Sequence, residues 1–221
     1  MKQMKLSALI LDFSLYPRGE IDNQHAHYIQ QAMESGTEMP PIVIDRKSRR
    51  IIDGFHRHRA YLKRFDEHHE VEVIEKTYKG EAEMFIDAMR FNAGHGRALS
   101  TYDRAHCLVR ADELGITPEQ IADALHLTSD ALGEIRSGRL GLLNGGAIPI
   151  KRTISHMAGK SLTREQQEAN GKLSGMHQLF YVNQLLLLID NDLVMTENEQ
   201  LMSGLVKLRG ALEKILRSEA A

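Results

Sequence analysis

The chain has 221 residues, 42% of them hydrophobic, which is enough to bury a sizeable core and to form two or three small modules. It contains no run of about 18 uncharged apolar residues, and its first apolar run is too short for a signal peptide, so we expect a cytoplasmic protein with no membrane partner. The single cysteine, Cys107, excludes an internal disulfide and is expected to be buried and unreactive.

The formal net charge is −2, but basic residues are concentrated in two runs of the sequence. The first run, residues 46–64, includes a single acidic residue, Asp53. Its basic residues are Arg46, Lys47, Arg49, Arg50, Arg57, Arg59, Lys63 and Arg64. The second run has no acid and contains Arg136, Arg139, Lys151, Arg152, Lys160 and Arg164. Two basic runs in an otherwise acidic chain favour localised contact with phosphate groups.

The predicted elements alternate between strands and helices in the first hundred residues and are helical afterwards. Strands are expected at 6–13, 42–45, 50–53 and 71–74, and helices at 23–34, 55–65, 81–92 and 101–114. This order predicts an α+β protein in which an α/β module precedes an all-α region.

The stretch from Ile51 to Tyr61 joins a buried strand to a helix through Asp53-Gly54. Such a junction exposes unpaired backbone N–H groups and the positive end of the helix dipole, and Arg57 and Arg59 can reach the same place. The pattern predicts a site for a phosphate-bearing ligand. The alternative is an ordinary strand–glycine–helix turn beside a solvated basic face.

A helix-turn-helix pattern follows, beginning at Thr117, which forms a capping box with Gln120 before the helix-starting Pro118. His126 occupies the turn, where glycine is usual, and histidine tolerates the left-handed backbone needed there. Thr128 can cap the second helix. In such motifs the second helix lies in the major groove of DNA.

Leu132 and Ile135 are expected to face inward on this second helix, which would leave its other side chains for DNA. The predicted DNA-binding residues are Thr128, Ser129, Asp130, Gly133, Arg136, Arg139, Lys151 and Arg152. Since Asp130 and Glu134 cannot attract phosphate, affinity should come from the basic residues of this set. The alternative is a helix pair that only packs.

Residues 142–146 are predicted to form a linker, and the C-terminal region has a short heptad pattern. Its apolar positions are Leu201, Leu205, Leu208, Leu212 and Ile215. The seam predicts a homodimer, or a helix packed on its own chain. The expected division is residues 1–95 for ligand binding, 96–141 for DNA binding and 147–221 for dimerisation.

Two ordered motifs resemble one protein family. The run from Asp53 to Ala60, Asp-Gly-Phe-His-Arg-His-Arg-Ala, is similar to the Asp-Gly-x-His-Arg-x-x-Ala form of the nucleotide motif in the ParB/sulfiredoxin-like superfamily. The run from Arg90 to Arg104 resembles the Asn-x-x-His-Gly-x-x-Leu-(Ser/Thr)-x-x-Asp-Arg segment of StrR-type ParB-like regulators. The resemblance covers about residues 8 to 137.

This resemblance implies a ParB/sulfiredoxin-like N-terminal domain in a DNA-binding protein, either a transcription regulator or a plasmid, phage or chromosome partition factor. It implies a bound nucleotide, CTP by family expectation, with Mg²⁺ as a candidate companion ion. The implied nucleotide-binding residues are Arg18, Asp53, Gly54, His56, Arg57, Arg59, Asn92 and Arg97. Partition proteins usually carry Gly-Glu-Arg-Arg at this turn, so the departure here leaves the choice of nucleotide open.

Two other hypotheses concern the same part of the chain, an enzyme and a metal site. Free-serine kinases look similar at Asp-Gly-x-His-Arg, so a phosphotransferase or nucleotide hydrolase is the second hypothesis, with Glu20 as the candidate base. Sulfiredoxin chemistry is excluded because Phe55, not cysteine, precedes His56 in the turn. The eleven histidines do not have spacings typical of metal ligands, so no metal site is expected.

Overall fold

The computed structural model describes residues 2–19, 22–94, 98–167, 170, 182 and 185–218. The chain forms two compact units, residues 1–170 and 171–221.

A four-stranded mixed sheet lies in the first unit. Its strands are β1 (Lys2–Lys5), β2 (Ile42–Asp45), β3 (Ile51–Asp53) and β4 (Glu70–Lys76), in the order β1-β4-β2-β3. The β2–β4 pair is parallel, and the β1–β4 and β2–β3 pairs are antiparallel. All four residues of β2 are buried, as expected for a central strand covered on both faces.

Helices cover both faces of this sheet. On one face, Ile42, Ile44 and Ile51 share a core with Phe55 of α2 (Phe55–Arg64), on which α1 (Asn23–Glu34) packs. On the other face, Val43 and Ile52 belong to a second core. That core also contains residues of four helices, α3 (Glu81–Gly94), α4 (Thr101–Glu113), α5 (Pro118–Leu125) and α6 (Ser129–Arg139).

The second core is continuous from β2 to α6, so the sheet and the helices that follow it are packed as one body. This arrangement, a small mixed sheet covered by helices and followed by further helices, confirms the predicted α+β fold class.

The strand predicted at 6–13 was wrong. This segment forms two short 3₁₀ helices, Leu6–Ala8 and Phe13–Leu15, and the strand β1 precedes them. Leu6 and Leu9 are buried three residues apart, which fits a 3₁₀ turn rather than the alternation of a strand.

The linker predicted at 142–146 was also wrong, because a β-hairpin occupies it. Its strands are β5 (Leu140–Leu143) and β6 (Gly146–Pro149). Asn144 and Gly145 at the tip have φ values of 51° and 85°, as a type I′ turn requires. A 3₁₀ segment, Arg152–Met157, follows the hairpin.

In the second unit, α7 (Glu199–Ser218) carries the predicted heptad seam. Leu201, Leu208 and Leu212 are 38%, 38% and 45% exposed, so these three positions of the seam are not buried. The side chain of Ile215 lies outside the described part of the chain. The sequence from Gly175 to Asp190 is rich in apolar residues, and much of it falls outside the described residues. None of the described helices is both long enough and apolar enough to cross a membrane.

Candidate functional site

The turn between β3 and α2 is built on Gly54, which has φ 107° and ψ 21° and stands at the N-cap of α2 without a side-chain cap. Only glycine adopts this conformation at low cost. A Cβ here would lie 3.1 Å from Cγ1 of Ile42 and 3.2 Å from a guanidinium nitrogen of Arg57. The N-terminus of α2 therefore keeps uncapped backbone N–H groups, which favour an anion.

A cavity of about 550 Å³ lies beside this turn. It brings together six of the predicted nucleotide-binding residues, Arg18, Asp53, Gly54, His56, Arg57 and Asn92. Apolar side chains, including Val43 and Phe91, complete its wall. The cavity combines polar groups around a helix N-terminus with an apolar part, as is common for sites that bind small molecules.

Arg57 links residues from two segments of the cavity wall by hydrogen bonds. Its Nη1 donates to the carbonyl oxygens of Pro40 and Pro41 at 2.7 and 2.9 Å, and its Nη2 donates to Oδ2 of Asp53 at 2.6 Å. These contacts use three of the five guanidinium N–H groups. Arg57 is thus a positioning residue for the turn, and its direct contact with phosphate stays a prediction.

Arg18 is a buried cation in the cavity wall, only 7% exposed. Its Nε donates to Oδ1 of Asn92 at 3.3 Å, and its Nη1 donates to the carbonyl oxygen of Ala98 at 3.4 Å. Asn92 is in turn anchored by its Nδ2, which donates to the carbonyl oxygen of Ala88 at 2.9 Å. Asn92 therefore orients Arg18 from helix α3.

Among the histidines that line the cavity, His56 has the pKa that is lowered furthest. Its Nε2 accepts a hydrogen bond from the backbone N–H of Asp22 at 3.3 Å and lies 3.2 Å from the hydroxyl of Tyr16. Burial, followed by the charges of His25 and Arg18, lowers the pKa of His56 from 6.5 to about 4. His56 is thus neutral at pH 7, when its Nε2 can accept a hydrogen bond.

This pKa predicts a pH dependence of stability. Because the pKa of His56 is lower in the folded state than its ordinary 6.5, its contribution is complete above pH 6.5 and is lost as the pH falls towards 4. We expect His56→Asn to make the free energy of unfolding less dependent on pH in this window. Urea unfolding at intervals from pH 7 to about pH 4.5 measures it, and identical slopes for variant and wild type would contradict the assignment.

The remaining predicted nucleotide-binding residues are not in the wall. Arg59 is exposed on α2 and does not line the cavity. Arg97 and the candidate base Glu20 fall outside the described residues.

Sequence reasoning missed several residues that the cavity uses. Tyr16 and His25 line it next to His56, and Pro40 and Pro41 supply the carbonyl groups that hold Arg57. Of these four, only Tyr16 had a usable signal, because it lies two residues before Arg18, which the family resemblance had marked.

Helix α4 anchors the segment that carries Tyr16 and Arg18. Arg110 Nε donates to the carbonyl oxygen of Ser14 at 3.2 Å, and the Cys107 thiol donates to that of Pro17 at 3.1 Å. The backbone N–H of Gly19 donates to Oδ1 of Asp103 at 3.2 Å. These three side chains lie along one face of α4.

Cys107 is fully buried in this contact, and burial raises the pKa of its thiol well above the ordinary value. A protonated, inaccessible thiol is a poor nucleophile. This agrees with the expectation that Cys107 is buried and unreactive.

The pair α5–α6 has the local structure predicted for it. The reciprocal capping box of Thr117 and Gln120 is present, and His126 ends α5 in the left-handed conformation with φ 52° and ψ 47°. Thr128 caps α6 by accepting from the backbone N–H of Ala131 at 3.2 Å. Leu132 and Ile135 are buried, as predicted.

The outward face of α6 presents Ser129, Asp130 and Gly133 to solvent. Arg136 is also partly exposed, but its guanidinium donates two hydrogen bonds to the carboxylate of Asp112 on α4, one of 2.9 Å. The sequence did not indicate this partner. The positive charge of Arg136 is therefore already compensated within the chain.

The other predicted DNA-binding cations differ in their exposure to solvent and in their contacts within the chain. Arg139 is partly buried, and its Nη1 has no hydrogen-bond partner in the part of the chain that the structure describes. The Lys151 ammonium lies 5.6 Å from the centre of the Tyr102 ring, which keeps it near α4. Arg152 is exposed. The DNA-binding roles of these residues stay predictions.

No family model matches the sequence. Among known proteins, the transcriptional regulator NovG of Streptomyces niveus is 33% identical over 93 residues, which are 41% of this chain and 28% of that protein. The streptomycin biosynthesis operon possible regulatory protein of Streptomyces griseus is 34% identical over 117 residues, 52% of this chain and 32% of that protein. The similar stretch thus spans less than a third of the length of either relative.

Among solved structures, the C-terminally truncated chromosome-partitioning protein ParB from Caulobacter crescentus, complexed to the centromeric parS site, is 13% identical, covers 61% of this chain and 70% of its own, and has a TM-score of 0.44. The same truncated protein complexed with CTP-gamma-S is 14% identical, with coverages of 61% and 75% and a TM-score of 0.37. In sequence, the similarity to the two Streptomyces regulators confirms the predicted resemblance to ParB-like regulators.

Proposed function

We propose that this chain is a ParB-like, sequence-specific DNA-binding regulator that acts in the cytoplasm and is controlled by a bound nucleotide. In this proposal residues 1–95 hold the nucleotide, 96–141 bind DNA and 147–221 form a dimer. Both similar Streptomyces proteins are named as regulators, which favours regulation over partition.

The observation that carries the DNA-binding part is the pair α5–α6. Two short helices, each with a capped N-terminus, are joined at His126 and fixed by the inward-facing Leu132 and Ile135. The outward side of α6 then offers the small or polar residues Ser129 and Gly133. A rigid helix with such a face suits contact with base edges in a major groove.

The nucleotide part rests on the cavity beside Gly54. The uncapped N-terminus of α2 suits a phosphate group, and Arg18 adds a buried positive charge in the same wall. The apolar part of the cavity, with Val43 and Phe91, suits a base or sugar. CTP is the ligand to test first because the motif from Asp53 to Ala60 resembles that of a family in which CTP is expected.

The proposal is tested by fluorescence anisotropy of the full chain with labelled genomic fragments at two salt concentrations, with and without CTP. We expect tighter binding to some fragments than to others, a steep fall in affinity with salt, and a change when CTP is added. Absence of binding to any fragment at low salt would overturn the DNA-binding part. Absence of CTP binding in calorimetry would overturn only the nucleotide part.

The dimer is tested on α7. Leu208 lies on the apolar face of this helix and is 38% exposed within a single chain, which a second copy could cover. We expect wild type to be dimeric at micromolar concentration and Leu208→Glu to be monomeric, because burying an unpaired charge costs several kcal/mol. Light scattering decides, with the neighbouring exposed substitution Lys207→Glu as the control. A monomeric wild type would refute the dimer.

A further inference from the structure

The first basic run of the sequence does not form one site. Residues 46–50 make the turn that joins the end of β2 to the start of β3. The cavity lies at the opposite end of these strands, where β2 begins and β3 ends, near Val43 and Asp53. The cations of this turn are therefore separated from the cavity by the length of the strands, and the proposed nucleotide site leaves them without a role.

The turn is held in one conformation. The carboxylate of the buried Asp45 accepts from both the backbone N–H and the hydroxyl of Ser48 at 2.6 Å. The backbone N–H of Arg49 donates to the carbonyl oxygen of Asp45 at 2.8 Å, and that of Ile10 donates to the carbonyl oxygen of Arg49 at 3.0 Å. Arg49 has φ 60°, a left-handed conformation that glycine or asparagine would adopt at lower cost.

Three exposed cations of this turn, Arg46, Lys47 and Arg49, form what we call the basic turn surface. A shallow depression lined by Lys2, Lys5 and Arg49 joins the turn to β1. The carboxylate of Glu75 accepts a hydrogen bond from Nζ of Lys2 at 2.8 Å. This hydrogen bond, together with the positive charges of Lys2, Arg46 and Arg49, lowers the pKa of Glu75.

The cations of this surface differ from several other arginines of the first unit, which form ion pairs with carboxylates. Arg50, Arg57, Arg110 and Arg136 each form an ion pair of 2.9 Å or shorter with a carboxylate. Within the described ranges, no carboxylate lies within ion-pair distance of Arg46, Lys47 or Arg49. In a chain with a net charge of −2, a rigid turn that keeps three unpaired cations is a local feature and not a consequence of overall charge.

We propose that the basic turn surface binds the phosphate backbone of double-stranded DNA without recognising its sequence. This inference rests on the DNA-binding part of the proposed function, which supplies DNA to the same compact unit. The cations of this surface are exposed, long side chains on a short turn, and side chains of this kind make many of the phosphate contacts in protein–DNA complexes. A second contact of this kind would add affinity and salt dependence to the sequence-specific contact made by α6.

The test compares two matched variants of the full chain. Arg46→Gln/Lys47→Gln removes two adjacent exposed charges from the turn, and Lys63→Gln/Arg64→Gln removes two adjacent exposed charges from the end of α2. Anisotropy with duplex DNA is measured over a range of salt. The slope of log K against log salt is negative, and each phosphate contact contributes about −0.9 to it. For the turn variant, which loses two contacts, we expect the slope to become less steep by about 1.8. The control variant should keep the wild-type slope.

Further outcomes separate the possibilities. The loss for the turn variant should be the same on preferred and unrelated DNA sequences, because backbone contacts carry no sequence information. If wild type binds DNA and both variants keep its slope, the inference is overturned while the proposed function stands. Loss of binding to vesicles of anionic lipid by the turn variant, with unchanged DNA binding, would assign the surface to a membrane and would equally overturn it. If wild type binds no DNA, the proposed function fails first.

Discussion

Gly54→Ala is expected to destabilise the first unit and to weaken nucleotide binding more than tenfold. Alanine would have to adopt φ 107°, and its Cβ would press on Ile42 from 3.1 Å and on the guanidinium of Arg57 from 3.2 Å. The left-handed conformation costs about 1–3 kcal/mol and overpacking costs a similar amount, so we expect a loss of roughly 2–6 kcal/mol in the free energy of unfolding.

Binding should suffer because the crowded group is Arg57. Its guanidinium joins Asp53 to the carbonyl groups of Pro40 and Pro41, and a shift would move the turn that presents the N-terminus of α2. We expect CTP affinity to fall more than tenfold, as measured by calorimetry at a temperature where the variant is folded.

A matched control separates backbone strain from crowding. Gly36 has φ 84°, but a Cβ there would meet no atom within 4 Å. Gly36→Ala should therefore lose only about 1–2 kcal/mol of stability and keep CTP binding. If the two alanine variants lose equal stability and both bind CTP as wild type does, close packing at Gly54 is not what shapes the site.

The sequence predicted elements whose signals are local. The strand ending at Asp53, the turn at Gly54 and the helix from Phe55 follow one another in the chain, and each has its own residue signature. The capping box of Thr117 and the left-handed His126 were predicted for the same reason, because their partners lie within four residues. Local backbone chemistry decides such features wherever the segment is placed in the fold.

Features that depend on distant partners were not predicted. Arg57 is held by backbone carbonyl groups at residues 40 and 41, and any residue supplies a carbonyl group, so the sequence carries no mark of it. Arg136 pairs with an acid 24 positions away that is one of thirty in the chain. The hairpin at 140–149 is a different case, because its signal is local. Asn144-Gly145 is a strong signal for a hairpin turn, but together with Gly146 it was interpreted as part of a linker.

The ion pair of Asp112 and Arg136 changes the expected response of DNA binding to mutation. Arg136 was predicted to attract phosphate, yet its two hydrogen bonds to Asp112 compensate its charge and hold α6 to α4. We expect Asp112→Asn to strengthen DNA binding, because the released guanidinium can contact a phosphate. The slope of log K against log salt should steepen by about 0.9, the value for one added contact.

The cost of this variant to folding should be small. The side chains of Arg136 and Asp112 are 37% and 39% exposed, and exposed ion pairs contribute about 0–1 kcal/mol to stability. A fall in the thermal midpoint of a few degrees at most is therefore expected, which leaves the DNA-binding measurement interpretable.

Glu113→Gln is the control for net charge. It removes one negative charge from the same end of α4, but its partner is Arg110, which also contacts Glu81. If Asp112→Asn and Glu113→Gln strengthen DNA binding equally, the gain comes from the lower negative charge of the chain. A gain confined to Asp112→Asn, and abolished when Arg136→Gln is added to it, would show that Asp112 restrains Arg136 from contacting DNA. In wild type, α6 would then depend on its outward polar residues for selectivity and on cations beyond the helix for affinity.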